Sequence, residues 1–246
     1  MKLKNIAGSL YIGTSGWSYK HWKGVFYPES IKSNEHFNYY LQHFDTVEIN
    51  NSFYRMPSLS TFNNWKKAVP QDFIYALKAN RAITHIYKLK NQEQVLEEFI
   101  TNAAVLKSNL GPILFQLPPS WNVNIERLHD FLQTLPLDYR YVFEFRNKTW
   151  HNDDVYNLLK KFNCAFCIYE LEGYTTPYII TSDFVYIRLH GPGNKYQGDY
   201  SDKTLLEWAG RIKSWLSDKD VFIYFDNDEK GYAVSNATQL KKLIVS

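Results

Sequence analysis

The chain has 246 residues, 45% of them hydrophobic, and a formal net charge of +3. That length and apolar content describe a globular protein able to bury a substantial core, and α/β barrels often run to this size as one domain. So slight a positive balance excludes a nucleic-acid binder recognised by charge alone, because such domains carry a concentrated basic excess.

The first 13 residues contain two lysines and no long apolar core, so no signal peptide is expected. No run of 18 apolar residues occurs, so no transmembrane helix and no membrane partner is expected. The default expectation is a cytoplasmic protein.

In chain order, eight runs have strand character: Leu10–Thr14, Thr46–Asn50, Phe73–Lys78, Pro112–Leu117, Tyr141–Arg146, Ala165–Tyr169, Phe184–His190 and Val221–Asp226. Segments of helical period lie between most of them. Asn91–Lys107 places Val95, Leu96, Phe99, Ile100 and Ala103 on one face. Ile125–Leu135, Val155–Phe162, Lys203–Leu216 and Asn236–Ile244 follow the same pattern, while Ser33–Phe44 and Leu59–Ala68 are further candidates. Strand followed by helix, repeated, predicts a parallel sheet with right-handed crossovers. Eight strands favour a (β/α)₈ TIM-barrel-like fold in a single domain, 1–246, over an open doubly wound sheet. Gly13-Thr14-Ser15-Gly16 also lacks the third glycine of a dinucleotide-binding turn.

Cys164 and Cys167 form a nominal C-x-x-C on a strand. Residues three apart on a strand point to opposite faces with Cα atoms roughly 10 Å apart. A disulfide needs about 7 Å or less, so two buried, inert thiols are expected.

Six of the strand-like runs end on polar residues in one alternation. Side chains on a strand alternate with period two, so Glu48 and Asn50 share a face, as do Glu144 and Arg146, and Arg188 and His190. Lys78, Gln116 and Asp226 complete the set, and Asp228 continues the parity of Asp226. In a (β/α)₈ barrel the C-terminal strand ends carry the active site, so these residues are predicted to form one. A compensated structural network of the same charges is the alternative, although burying so many charges rarely stabilises relative to apolar packing.

Lys78, Arg146 and Arg188 point to an anionic ligand, since guanidinium forks match carboxylate and phosphate. Glu48, Glu144 and Asp226 are candidate bases or nucleophiles, and nearby cations would depress their pKa values. His190 is the natural proton carrier near neutral pH. Asn50 and Gln116 are candidate ligand-binding amides. A zinc or iron centre is not expected, because His190 is the single histidine at a predicted strand end. A Mg²⁺ held by Asp226, Asp228 or Glu48 is the one cofactor kept in view.

The loop after the first strand, Ser15 to Pro28, is dense in aromatics. Ser52-Phe53-Tyr54-Arg55, Pro118-Pro119-Ser120-Trp121, Trp150 and Lys195-Tyr196 follow other strands. Aromatics beside cations can stack on bases or sugars, and Trp17 and Tyr54 are the rings expected to contact a ligand. The remainder are expected to pack a loop cap. No Gly-x-Ser-x-Gly nucleophile elbow is present.

On these residues the chain resembles the DUF72, or YecE-like, family. The matching motifs are Ile12-Gly13-Thr14-Ser15-Gly16-Trp17-Ser18-Tyr19 with Trp22 and Phe26-Tyr27-Pro28, and Val47-Glu48-Ile49-Asn50 with Ser52-Phe53-Tyr54-Arg55. They continue through Ile83-Thr84-His85, Leu110-Gly111-Pro112, Gln116-Leu117-Pro118-Pro119 and Glu144-Phe145-Arg146 with Trp150. Arg188-Leu189-His190-Gly191 and Asn227-Asp228 with Asn236-Ala237 complete them in order along nearly the whole chain. The resemblance implies a TIM-barrel-like fold and no established activity. One departure is visible: Asn147 stands where the family pattern often has His after Glu-Phe-Arg, so a proton relay through that position is not expected.

The expected function is an enzyme of hydrolase-type acid/base chemistry acting on an anionic, phosphate-bearing ligand such as a nucleotide or nucleic-acid fragment. The alternatives are a carbohydrate-active hydrolase using paired carboxylates and a non-catalytic module binding nucleic acid or a phospho-ligand through the rim.

Overall fold

The computed structural model describes residues 7–245. The expectation of no signal peptide therefore falls partly on residues 1–6, which lie outside the described residues. The strands are β1 (Leu10–Thr14), β2 (Thr46–Ile49), β3 (Ile74–Lys78), β4 (Leu110–Leu117), β5 (Tyr141–Phe145), β6 (Ala165–Leu171), β7 (Tyr174–Thr175), β8 (Phe184–Leu189) and β9 (Asp220–Phe225). The helices are α1 (His36–Tyr40), α2 (Asn51–Tyr54), α3 (Leu59–Lys67), α4 (Glu93–Ala103), α5 (Ile125–Thr134), α6 (Asp153–Lys161), α7 (Asp202–Trp215) and α8 (Tyr232–Val245). The hydrogen-bonded strand order is β1-β9-β8-β6-β5-β4-β3-β2. Parallel pairing holds for β1/β9, β3/β4, β4/β5, β5/β6 and β8/β9. Eight strands in that order, alternating with helices, are the topology of the (β/α)₈ class. All eight predicted strands exist, most shifted by one or two residues at an end.

The residues fall into two compact units. Among described residues the first holds 7–48, 168–176 and 183–245. Its core packs Ile12, Val47, Ile187 and Ile223 from the strands with Leu205, Ala237 and Leu240 from α7 and α8. Gly13 is required within it, because a Cβ there would lie 2.4 Å from the backbone oxygen of Thr46. Ser201 starts α7 by accepting a hydrogen bond from the Thr204 N–H. β7 is an addition to the predicted strands. It pairs antiparallel with β6, Glu170 opposite Thr175, across Glu172-Gly173, whose φ angles are +52° and +74°. Two consecutive positive φ values suit the two-residue hairpin turn that matches strand twist.

The second unit holds 49–167 and 177–182. Its core is aromatic: Phe115 stacks on Phe143 at 5.3 Å and Phe145 on Trp150 at 4.9 Å. Ser58, Asn124 and Asn152 cap the starts of α3, α5 and α6. Periodicity joins 91–107 as one helix, but α4 stops at Ala103 and 3₁₀ turns follow to Asn109, where Lys107 takes φ +53°. Asn109, at the end of those turns, is buried and anchored by donating to the backbone oxygens of Pro70, Gln71 and Phe73. Cys164 and Cys167 are buried thiols outside any disulfide, and burial pushes Cys164 up to about 12. No helix among the described residues is long and apolar enough to cross a membrane.

Candidate functional site

In the first unit the strand ends bring Glu48, Arg188, Asp226 and His190 together. Glu48, at the end of β2, is fully buried. Its Oε1 accepts from Ser15 Oγ at 2.7 Å, Arg188 Nη2 at 2.7 Å and Arg188 Nε at 3.2 Å, and its Oε2 accepts from the Tyr186 hydroxyl at 2.7 Å. A carboxylate so enclosed orients its neighbours and is poorly placed to attack a substrate. Ser15 reaches it because β1 ends in a parallel bridge to Glu48.

Arg188 is 1% exposed and also donates to Asp226 Oδ2 at 3.4 Å. Its guanidinium is thus neutralised by two carboxylates, a different setting from the anion clamp expected of it. Asp226 is the more open of those two, with 18% of its side chain exposed. His190 is buried, and its Nδ1 lies 2.9 Å from the same Asp226 Oδ2. The Asp226 backbone N–H is fixed by Leu189 O at 2.8 Å, so β8 and β9 hold the cluster from both strand ends.

Two residues on, Asp228 sits in a contrasting setting. Its Oδ1 accepts a hydrogen bond from the indole N–H of fully buried Trp22. His21 Nε2 lies 2.6 Å from the Asp228 backbone oxygen and 2.9 Å from Oδ2. Oδ2 is itself buried and accepts no aligned hydrogen bond. Burial pushes the Asp228 carboxyl from 3.8 up to about 6, and the charge of Asp226 adds to that, while Trp22 and His21 oppose it. Tyr19 lies close enough to feel Asp226, Asp228 and Glu48; burial first, then those charges, raise its hydroxyl well above the usual value. The sequence presents Trp22 and Tyr19 as members of an aromatic loop cap and of the motif after β1, and His21 as a residue of the same loop. Neither signal says which carboxylate they serve.

In the second unit Glu144 is fully buried and paired with Arg146, two residues along. Cys167 Sγ donates to Glu144 Oε2 at 3.9 Å. Gln116 is the register partner of Glu144 across β4 and β5. Lys78 Nζ lies 4.3 Å from the centre of the Phe53 ring. Asn147 is a structural residue: Oδ1 accepts from the Thr149 N–H, and Nδ2 donates to Pro119 O at 2.7 Å. Tyr54 is 73% exposed, beside Phe53. Asn50 is half-buried at the end of β2. In the first unit Trp17 packs on Phe37 at 4.5 Å, which places it in the loop cap.

Relatives of known family define the chain's place. The family described as "Protein of unknown function DUF72" matches residues 11–246. The chain belongs to the DUF72 family. Its relatives include the UPF0759 protein YunF of Bacillus subtilis, 25% identical over 96% of this chain and 94% of that protein. The UPF0759 protein YecE of Escherichia coli is 29% identical over 56% of this chain and 48% of its own length. A crystal structure of a DUF72 family protein from Thermotoga maritima aligns with a TM-score of 0.87 and 28% identity, covering 97% of this chain and 100% of that one. The TIM-barrel-like fold follows for this DUF72 chain; the family's description carries no activity with it. Among its described residues no three His, Cys, Asp or Glu side chains are grouped to hold a metal ion.

Proposed function

We propose that the chain is an acid/base enzyme of the hydrolase type in which Asp226 and Asp228 are the working carboxylates. The observation that carries this reading is the contrast between them. Asp226 lies against Arg188 and His190, groups that favour its ionised form. Asp228 is desolvated, has one oxygen without an aligned donor, and is shifted to about 6. Pairs of carboxyls whose surroundings push them apart in pKa assign themselves to base and acid. Asp226 is then the base or nucleophile, and Asp228 donates a proton from Oδ2. Glu48, Ser15 and Tyr186 hold Arg188, and Arg188 orients Asp226.

Charge balance favours a neutral, hydroxyl-rich substrate at this cluster. The carboxylates of Glu48 and Asp226 share the guanidinium of Arg188, and Asp226 lies close enough to Asp228 to raise its pKa. A dianionic phosphate would meet more carboxylate than guanidinium there. This shifts weight from the phosphate ligand toward the carbohydrate-like alternative, with a different pair of carboxylates from the one expected.

The test is turnover of a panel of aryl glycosides and aryl phosphates across pH. Activity on a glycoside that falls as pH rises through about 6, and that drops by about 10²–10⁴-fold in Asp228→Asn, is the expected outcome. Asp226→Asn should lower turnover as strongly and move that limb to lower pH, because the charge of Asp226 helps raise the Asp228 carboxyl. Equal turnover by both variants and the unaltered protein overturns the assignment, and turnover of phosphates alone overturns the substrate class.

A further inference from the structure

The second unit carries a polar cluster that the reaction just described does not use. β3 ends at Lys78, and a π-helical turn, Ala82–Ile86, follows immediately. Wide turns of this kind are rare and recur at functional sites. Here the turn is held in shape by Asn80, whose Oδ1 accepts from the Ala82 N–H and whose Nδ2 donates to Ser52 O at 3.0 Å. Ser52 in turn donates to Lys78 O at 2.6 Å, so the strand end and the turn form one rigid piece.

His85 projects from this turn. Its ring meets Phe53 edge-on at 4.9 Å, on the residue whose ring also carries the Lys78 ammonium. Its Nδ1 lies 2.9 Å from Thr84 Oγ1, which leaves Nε2 as the ring atom available to a ligand. Burial, then Lys78 and Arg81, lower its pKa to about 4. Lys78 shares the Phe53 ring with the imidazole, and Arg81 opens the same turn four residues before it. At neutral pH the ring is uncharged, and in the tautomer in which the Thr84 hydroxyl donates to Nδ1 it presents an Nε2–H.

We infer that Lys78, Arg81 and Nε2 of His85 form a binding subsite for a tetrahedral oxyanion, the phosphate group of a monoester. An ammonium, a guanidinium and a neutral ring N–H are three separate donor groups, which suit a group with three equivalent oxygens better than a planar carboxylate. Tyr54, largely exposed beside Phe53, supplies a ring face at the edge of this subsite for the rest of such a ligand. The subsite is independent of the Asp226–Asp228 reaction.

The probe is sulfate, titrated at constant ionic strength against chloride, with acetate in a parallel arm. The readout is the His85 Cε1–H resonance, identified by its loss in His85→Gln. An anion at the subsite favours the charged imidazole, so saturating sulfate should raise the His85 pKa from about 4 by about one unit. Arg81→Gln, a change at an exposed position, should weaken sulfate about tenfold without altering the thermal midpoint. Inorganic phosphate should behave like sulfate and acetate should not. A His85 pKa that sulfate does not move saturably overturns the subsite, as does unchanged affinity in Arg81→Gln. An equal response to acetate overturns the phosphate assignment. None of these outcomes depends on turnover.

Discussion

The two buried arginine–carboxylate pairs look alike in the sequence and differ in the structure. In the second unit Arg146 meets Glu144 from its own strand end, with 7% of the arginine side chain exposed. In the first unit Arg188 is 1% exposed and joins Glu48 from β2 to Asp226 from the end of β9, with Tyr186, Ser15 and His190 completing the set. A local pair couples two residues of one segment. The larger network ties the ends of β2, β8 and β9 together and fixes the orientation of a carboxylate that is partly open. Buried ion pairs seldom stabilise relative to apolar packing, so a network of this size is better explained by what it positions.

The largest expected effect breaks that contrast directly. Arg188→Met strands two carboxylates, one of them fully buried, and should cost about 3–5 kcal/mol of stability. Arg146→Met takes the guanidinium from Glu144, a carboxylate as fully buried as Glu48, but at an arginine 7% rather than 1% exposed, and should cost somewhat less. Denaturant midpoints for the two variants check this. Equal losses would mean that the first unit's network is no more demanding than a local pair.

Much of the first unit's cluster is legible in the sequence for a simple reason. Period-two alternation reports which residues share a strand face, so alternation alone groups Glu48, Arg188, His190 and Asp226 at the strand ends. It says nothing about partners. Glu48 and Arg188 lie 140 positions apart, and Trp22 and Asp228 lie 206 apart. Neither the enclosure of Glu48 nor the indole on Asp228 can be seen from either end alone. The hairpin strand β7 escapes sequence reading because two residues carry no readable period. Composition marks Trp17 as a ligand contact, whereas its packing on Phe37 depends on where α1 lies.

A second comparison is sharper, because the two units titrate in opposite directions over one pH window. Asp228 is raised from 3.8 to about 6, so between those values the folded state holds more protons, and its contribution to stability falls as pH rises. His85 is lowered from 6.5 to about 4, so there the unfolded state holds more protons, and its contribution rises with pH. Asp228 is worth at most about 3 kcal/mol across the window at 1.36 kcal/mol per pKa unit, and half-buried His85, screened by solvent, contributes less than its shift alone implies. In the unaltered protein the two slopes partly offset. Asp228→Asn should expose a stability that climbs from pH 4 to about 6.5, and His85→Gln one that declines from pH 4 to about 6. Parallel urea titrations at several pH values read both slopes. Identical profiles in the two variants would show that the carboxyl and the imidazole do not carry opposite linkage.

The smallest effect separates stability from electrostatics within the first unit. His21 has 44% of its side chain exposed, so its pairing with Asp228 is screened by solvent, and His21→Ala should change stability by less than about 1 kcal/mol. The same substitution removes a close neighbour that pulls the Asp228 pKa down. The upper end of the Asp228 window should therefore move above 6 while the melting temperature barely moves. Tyr54→Ala, at a still more exposed position of the second unit, should leave both quantities unchanged. If His21→Ala leaves the window in place, burial, Trp22 and the charge of Asp226 set the Asp228 pKa, and the loop after β1 acts on that carboxyl through its indole rather than through its histidine.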